Sequence, residues 1–197
     1  MIFFTKISKN KRSTTFSLNL NDLSLLYLQA MNSKNITIEL ATKDDMPFVL
    51  ELIQELATFE REPGAVDITV DDLINDGFGK QPLFTCFVAR VNNIIEGMAL
   101  VYFRYSTWKG KTLHLEDLVV RASKRGTGLG NALFKQVISY AKQEGVGRAE
   151  WVVLDWNTNA IKFYERSGAT ILKDWHLVQM NKAVSYTHLT LPTKRIV

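Results

Sequence analysis

The amino-acid sequence predicts a mixed α/β domain, in which one mixed β-sheet carries helices on both of its faces. Three observations lead to this prediction. Short apolar runs with strand-like alternation are interspersed with segments of helical periodicity. The pair Asn92-Asn93 separates two apolar runs, as in a β-hairpin. A glycine-rich stretch within residues 119–141 joins a strand-like run to a helix-like one.

The length and composition are those of one globular domain. The chain has 197 residues, of which 46% are hydrophobic and 22% are charged. Its one cysteine, Cys86, lies in a strand-like run and is predicted to be a core thiol, which fits a reducing, cytoplasmic compartment. His114, His176 and His188 lack metal-ligand spacing, so no metal is expected. No apolar run is long enough to span a membrane, so no membrane partner is expected.

The distribution of charge indicates the kind of partner. A pI near 9.1 would suit nucleic-acid binding, but the excess of positive charge lies at the two ends of the chain. Residues 31–117 carry 8 basic and 14 acidic residues, a net charge of −6. Residues 118–182 carry 10 basic and 5 acidic residues, a net charge of +5. This separation suits a cationic substrate beside an anionic cofactor, with solvated surface charge as the alternative. No nucleic-acid partner is expected.

The two ends of the chain differ in pattern from the middle. Residues 1–30 are predicted to be a non-native or disordered extension, because Met31 directly precedes the first strand-like run. Residues 183–197 add no clear element and are predicted to be an extraneous tail. The functional domain is therefore expected to span residues 31–182.

The first elements of this domain have recognisable start signals. Residues 36–41 alternate as a strand does. Asp44 is predicted to cap a helix that continues to about Phe59. Thr69, with Asp72 three residues later, predicts a capping box for a second, short helix.

The remainder of the domain alternates strands with helices. The predicted strands are residues 83–91, 94–103, 112–120, 148–155 and 175–182. The predicted helices are residues 127–144 and 159–168.

The glycine-rich junction, residues 125–130, has the sequence Arg-Gly-Thr-Gly-Leu-Gly. It lacks the Gly-Lys-Ser/Thr of a nucleotide-binding P-loop, and its third glycine comes one position too early for a dinucleotide fingerprint. It fits Arg-x-x-Gly-x-Gly at a helix N-terminus, where backbone N–H groups and the helix dipole bind an anion. A plain glycine-rich turn is the alternative.

The context of this junction resembles a known family. The stretches ELATFE, DGFG, YSTWKGKTLHLEDLVV, RGTGLG, VLDWN and FYERSGA match, in order, the GNAT superfamily of N-acetyltransferases. The likeness is greater to the branch of diamine (spermidine/spermine) and thialysine acetyltransferases, and it covers about residues 36–182. It implies the GNAT fold, with a central, mostly antiparallel twisted sheet of about six or seven strands and helices on both faces.

The resemblance also implies a co-substrate and its site. Acetyl-CoA is expected to donate its acetyl group directly to a primary amine of a small cationic substrate, in a homodimeric enzyme. The residues implied to bind acetyl-CoA are Leu118, Val119, Val120, Arg125, Gly126, Thr127, Gly128, Leu129, Gly130, Asn131, Asn157 and Asn159. The first three would pair through their backbone with the pantetheine arm, and residues 126–131 would bind the pyrophosphate.

Catalytic roles are implied for two residues. Glu116 matches the acidic residue that takes a proton from the amine, with a charge-pairing carboxylate as the alternative. Tyr164 matches the acid that protonates the leaving thiolate, with a core aromatic as the alternative. Phe59 and Glu60 match a substrate-contacting pair, with an ordinary helix end as the alternative. The backbone N–H of Leu118 would polarise the thioester carbonyl.

Two other functions stay open at this stage. The first is an acetyltransferase acting on protein or peptide lysines or N-termini, which would need an open peptide groove. The second is a non-catalytic acyl-CoA-binding module, which would predict loss of Glu116 or Tyr164, and both residues are present.

Overall fold

The computed structural model describes residues 36–180 and the backbone of two short strands, β1 (Phe3–Thr5) and β2 (Thr15–Ser17). The predicted tail, residues 183–197, lies outside the described residues, as does the rest of the predicted extension 1–30. The chain divides into two compact units, Met1–Val152 and Val153–Val197, which are described separately below.

The first unit is built on a five-stranded sheet in the order β3-β4-β5-β6-β7. The strands are β3 (Ile36–Leu40), β4 (Thr85–Val91), β5 (Ile94–Ser106), β6 (Gly110–Val120) and β7 (Arg148–Glu150). Neighbouring strands are antiparallel except for β6 and β7, which are parallel. The mostly antiparallel mixed sheet is confirmed, with five strands in the described residues instead of six or seven. Strands β1 and β2 pair only with each other.

Helices cover both faces of this sheet. The first unit contains α1 (Met46–Phe59), α2 (Val70–Phe78) and α3 (Leu129–Gln143), and the second contains α4 (Thr158–Arg166). The side chains of α1 and α2 pack on one face, in a buried cluster of Met46, Val49, Leu52, Leu73, Cys86, Val88, Ile95, Met98, Leu100 and Val119. On the opposite face, Tyr140 of α3 contacts two phenylalanine rings. Its ring centroid lies 5.4 Å from that of Phe87 and 5.9 Å from that of Phe103. The predicted core position of Cys86 is confirmed, and burial raises the pKa of its thiol to about 12.

The helix starts follow the capping rules, with one correction. The side chain of Thr69 accepts a hydrogen bond from the Asp72 N–H at 3.2 Å, and the Thr69 N–H donates to the Asp72 carboxylate at 2.8 Å. The predicted capping box of α2 is therefore confirmed. The prediction that Asp44 caps α1 is wrong. A 3₁₀ turn over Lys43–Asp45 precedes α1, and there the Thr42 N–H donates to the Asp45 carboxylate at 2.9 Å.

The hairpin between β4 and β5 turns as predicted. Asn92 and Asn93 have φ angles of 51° and 65°, which asparagine tolerates better than most residues. Two other strand predictions need correction. The strand expected over 148–155 covers only Arg148–Glu150, and none is present in the described part of the run expected over 175–182. In that last run, Val178 is 87% exposed, so its apolar side chain lacks the burial that would favour a strand.

Candidate active site

A bulge in β6 places two acidic side chains next to each other. Leu100 of β5 pairs with Asp117, but Val101 pairs with Leu115, so Glu116 is an extra residue without a partner in the ladder. A β-bulge bends its strand and redirects the side chains around it. Glu116 and Asp117, which strict alternation would send to opposite faces, therefore both line one cavity.

This cavity is strongly acidic. It has a volume of about 380 Å³, within the range of small-molecule sites. Its carboxylates belong to Asp67, Asp72, Asp76, Glu116 and Asp117. Its apolar lining comes from Ile53, Ala65, Val66, Ile68, Leu73, Phe84 and Leu100. A cavity with five carboxylates in its wall attracts cations, and its apolar lining can contact a short hydrocarbon chain.

The electrostatic cost of this arrangement is concentrated on Asp117. Burial raises its pKa to about 7, and the negative charges of Glu116 and Glu60 add to the rise. Burial also raises the pKa of Glu60, at the C-terminal end of α1. A carboxyl group with a pKa near neutrality in a cavity is typical of a functional site.

Glu116 is the more exposed of the two neighbours. Its side chain is 52% exposed, and its Oε2 atom lies 3.5 Å from Nε2 of His114. Glu116 also interacts with Tyr102. Burial is the largest cause of a raised pKa of the Tyr102 phenol, and the charge of Glu116 and a hydrogen bond with it raise this pKa further. An exposed carboxylate in a cavity is placed where it can accept a proton from a bound amine.

The glycine-rich junction has the backbone expected of an anion site. Gly126 and Gly128 have φ angles of 75° and 95°, a region that side chains disfavour. Gly128 is the N-cap of α3 and has no side-chain cap, and the first turn of that 15-residue helix contains no acidic residue. A Cβ atom at Gly126 would meet nothing within 4 Å, so the backbone there is open to a ligand. A phosphate group fits this helix N-terminus.

Strand β6 also offers an edge for backbone pairing. It pairs with β5 as far as Val120, but with β7 only over Thr112–His114. In the described part of the chain, residues 115–120 therefore have a partner strand on one side only. An extended ligand that carries amide groups can pair with such an edge.

The structure separates two residues that the sequence groups together. Phe59 lies under the guanidinium group of Arg125, with its ring centroid 5.0 Å from the central guanidinium carbon. Both residues line an open groove beside the glycine-rich junction, whereas Glu60 interacts electrostatically with Asp117. Arg125 also donates from Nε to the carbonyl oxygen of Val120 at 3.1 Å. Phe59 is therefore at the predicted cofactor side, and Glu60 is at the acidic side.

The second unit contains the remaining predicted site residues. Asn157 is the N-cap of α4 and accepts a hydrogen bond from the Ala160 N–H at 3.2 Å. Asn159 is exposed in the first turn of the same helix. Tyr164 is 8% exposed and contacts Phe163, with ring centroids 5.3 Å apart. Burial raises the pKa of its phenol to about 12.

Two other features are absent from the residues that the structure describes. These residues contain no group of three or more His, Cys, Asp or Glu side chains placed to hold a metal ion. None of their helices is both long enough and apolar enough to cross a membrane.

Sequence reasoning missed three contributions to the site. The sequence pattern indicates no role for Asp117, and for His114 it indicates only the absence of metal-ligand spacing. Asp67 was not considered. The acidic excess of residues 31–117 was a signal for the cavity, since all five of its carboxylates come from that segment. No sequence signal indicated the bulge.

Comparisons with known proteins identify the family of this chain. Residues 46–169 match the acetyltransferase (GNAT) family. Thialysine N-epsilon-acetyltransferase of Bos taurus is 36% identical over 152 residues, which cover 72% of this chain and 89% of that protein. Spermidine/spermine N(1)-acetyltransferase-like protein 1 of Homo sapiens is 36% identical over 152 residues, covering 72% of this chain and 22% of that protein.

A solved structure shows the same fold. The V. cholerae integron cassette protein superposes with a TM-score of 0.66 at 20% identity, over 79% of this chain and 98% of its own. The match to the family extends over more than half of the chain, and the sequence relatives exceed 30% identity. The chain therefore belongs to the GNAT family of acetyltransferases and is an N-acetyltransferase of that family.

Proposed function

We propose that this enzyme transfers the acetyl group of acetyl-CoA to a primary amine of a small cationic substrate, namely a diamine, a polyamine or a thialysine-like amino acid. The observation that carries the proposal is the acidic cavity beside Glu116 and Asp117. A volume of about 380 Å³ suits a small amine more than an extended peptide. A protein lysine as substrate is therefore the second candidate. Homodimer formation is part of the proposal through the resemblance alone.

The acetyl-CoA site would be formed by β6 and the glycine-rich junction. Backbone groups of Leu118, Val119 and Val120 would pair with the pantetheine arm, supported by the single-sided pairing of this part of β6. Backbone N–H groups of residues 126–131 would bind the pyrophosphate at the N-terminus of α3. By the family resemblance, Asn157 and Asn159 would also contact the cofactor.

Acetyl-CoA supplies an activated acyl group as a thioester. Glu116 would take one proton from the substrate ammonium, directly or through water, because an amine with a pKa near ~10.4 is mostly charged at neutral pH. The N–H of Leu118 would stabilise the negative charge that develops on the thioester oxygen. The amine nitrogen then bonds to the carbonyl carbon, and the carbon–sulfur bond breaks. Tyr164 would donate a proton to the departing sulfur, and the resulting phenolate would take up, through solvent, the second proton that the nitrogen loses as the amide forms.

The proposed role of Tyr164 as an acid requires a protonated phenol. With a pKa of about 12, the phenol stays protonated at neutral pH. Tyr164→Phe removes only the hydroxyl group, so we expect kcat to fall by ~10²–10⁴ while the Kd for acetyl-CoA stays within a few-fold. Steady-state kinetics with a calorimetric Kd would measure both. An unchanged kcat, with chemistry rate-limiting, would remove Tyr164 from the mechanism.

An amine panel tests the substrate class. Purified enzyme and acetyl-CoA would be incubated with 1,3-diaminopropane, spermidine, thialysine, lysine and a lysine-containing peptide, and the release of free thiol would be measured. Propylamine is the matched control for 1,3-diaminopropane, because it lacks only the second charge. We expect kcat/KM to be at least tenfold higher for the diamine, and to fall with added salt. Equal values for the two amines, or a peptide as the best substrate, would contradict the proposal.

A further inference from the structure

His114 is a buried side chain beside the proposed base that the mechanism above does not use. It lies two residues before Glu116 on β6 and is 8% exposed. Its Nε2 atom lies 3.5 Å from Oε2 of Glu116, and its Nδ1 atom lies 3.4 Å from Nη1 of Arg104. Its ring also contacts Tyr102 of β5, with centroids 5.0 Å apart.

The contact with Arg104 determines which ring nitrogen of His114 carries the proton. A guanidinium group only donates hydrogen bonds, so Nδ1 must accept. A neutral imidazole has one N–H, which is then on Nε2, the atom that faces Glu116. Burial lowers the pKa of His114, and the charge of Arg104 lowers it further. The charge of Glu116 has the opposite effect but is outweighed, so the neutral ring is favoured at neutral pH.

The groups that face His114 come from three strands. Glu116 lies on its own strand, Tyr102 and Arg104 lie on β5, and Glu150 lies on β7. Glu150 holds Arg104 in place, because its Oε1 atom is 2.9 Å from Nη1 of Arg104. Arg104 is thereby fixed against Nδ1, although its own side chain is 52% exposed.

We propose that His114 is a positioning residue for Glu116: its Nε2–H donates to the Glu116 carboxylate, and Arg104 fixes the tautomer that makes this donation possible. This inference rests on the proposed role of Glu116 as the base. The Glu116 side chain is half-exposed and interacts with Tyr102, and a second restraint from His114 reduces the number of rotamers that it samples.

A double-mutant cycle between His114 and Glu116 tests the inference. His114→Phe keeps an aromatic ring against Tyr102 but removes the donor, whereas His114→Gln keeps an N–H group near the position of Nε2. We expect His114→Phe to lower kcat about tenfold, an ordinary coupling between contacting residues, and His114→Gln to retain most of the activity. In a Glu116→Gln background, His114→Phe should cause no further loss.

The outcomes separate this inference from the proposed function. If Glu116→Gln lowers kcat and His114→Phe costs the same factor in both backgrounds, His114 is only structural and the inference is wrong. If Glu116→Gln leaves kcat unchanged, the assignment of the base fails and the inference fails with it. If the wild-type enzyme acetylates none of the amines, the proposed function itself fails.

A second measurement does not depend on activity. Nitrogen NMR of the His114 ring in the wild-type protein should show the neutral tautomer protonated at Nε2. In Glu116→Gln, the pKa of His114 should fall, because the carboxylate that raises it is gone. A ring protonated at Nδ1, or a His114 pKa unaffected by Glu116→Gln, would overturn the inference.

Discussion

The carboxyl group of Asp117 destabilises the folded state when it is charged, and it lines the proposed substrate cavity. Its neighbours Glu116 and Glu60 are both acidic, and it is partly buried below the sheet face that α1 and α2 cover. Raising a carboxyl pKa from 3.8 to about 7 corresponds to roughly 4 kcal/mol against the charged form. A protein retains such a group where a cationic ligand can later compensate its charge.

Asp117→Asn should therefore stabilise the folded protein above neutral pH. The Asp117 carboxyl has a higher pKa in the folded state than in the unfolded state, so its protonation stabilises the folded state. This stabilisation is complete below about pH 4 and is lost as the pH rises to about 7. We expect the variant and the wild type to have similar free energies of unfolding at pH 4. At pH 8 the variant should be more stable by up to several kcal/mol.

Denaturant titrations at a series of pH values would measure this difference. A difference that does not change between pH 4 and pH 8 would show that Asp117 titrates normally. In that case its burial would have no electrostatic cost, and the acidic cavity would need another explanation.

At the residue scale, the sequence indicates candidate residues of the site but not how they are placed. Glu116 was identifiable because its flanking stretch resembles a family. Asp117 was not, because alternation along a strand places consecutive residues on opposite faces. The bulge that brings them together depends on the pairing of β6 with β5, which is a long-range property of the sheet.

At the scale of elements, one arginine attaches the turn after β6 to α1. Arg121 contacts Glu51 from Nη2 at 2.7 Å and Glu55 from Nη1, and its Nε atom lies 3.9 Å from the buried Glu96 of β5. Its backbone N–H donates to the carbonyl oxygen of Glu96 at 2.9 Å. This network anchors the segment that leads directly into the glycine-rich junction.

Arg121→Met should lower the free energy of unfolding by about 1–3 kcal/mol, because it leaves three carboxylates without their shared cation. Lys124→Met in the same turn is the matched control. It removes one ion pair with Glu96, at 3.4 Å, and should cost less than ~1 kcal/mol. Thermal and denaturant unfolding would measure both variants, and equal costs would show that Arg121 is not the anchor.

The junction itself can be tested by separating charge from backbone strain. Any side chain at Gly128 must adopt a φ of 95°, which asparagine and aspartate tolerate comparably. We expect Gly128→Asp to raise the Kd for acetyl-CoA at least tenfold above that of Gly128→Asn, because a carboxylate would face the pyrophosphate. Calorimetry would measure both, and equal Kd values would place the phosphates elsewhere.

Two local sequence signals predicted their elements correctly, whereas the end of the strand expected over 148–155 depends on pairing with a distant strand. The capping box of Thr69 and Asp72 and the Asn92-Asn93 turn act within four residues, so sequence reasoning found both. In the strand expected over 148–155, the apolar run is residues 151–154. Only the first three residues of that strand find a partner, on β6, because the pairing there stops at His114.

At the scale of the whole molecule, the acidic and the basic segments of the sequence supply different parts of the proposed active site. The acidic segment 31–117 supplies every carboxylate of the cavity, and the basic segment 118–182 supplies the glycine-rich junction at the start of α3. Both segments meet on β6, where Asp117 precedes Leu118. The proposed amine and acetyl-CoA sites thus lie on consecutive residues of one strand, which suits a direct transfer between two bound substrates.

The predicted dispensability of the two ends is also a whole-molecule property. Strands β1 and β2 form a sheet of their own, whereas the main sheet begins at β3, which pairs with β4 from Ile36 to Leu40. We expect a chain trimmed to 31–182 to unfold within ~4 °C of the full chain, because the free energy of unfolding should change by less than ~1 kcal/mol, and 1 kcal/mol moves the Tm of a protein this size by about 2–4 °C.

Trimming further, to 42–182, provides the control, because it removes β3 and exposes the edge of β4. That variant should lose several degrees of Tm or fail to fold. The acetyl-CoA Kd of the 31–182 variant should match that of the full chain, since the proposed cofactor residues all lie between 118 and 159. A Tm lowered by more than ~5 °C in the 31–182 variant would show that an end of the chain packs against the domain as part of its core.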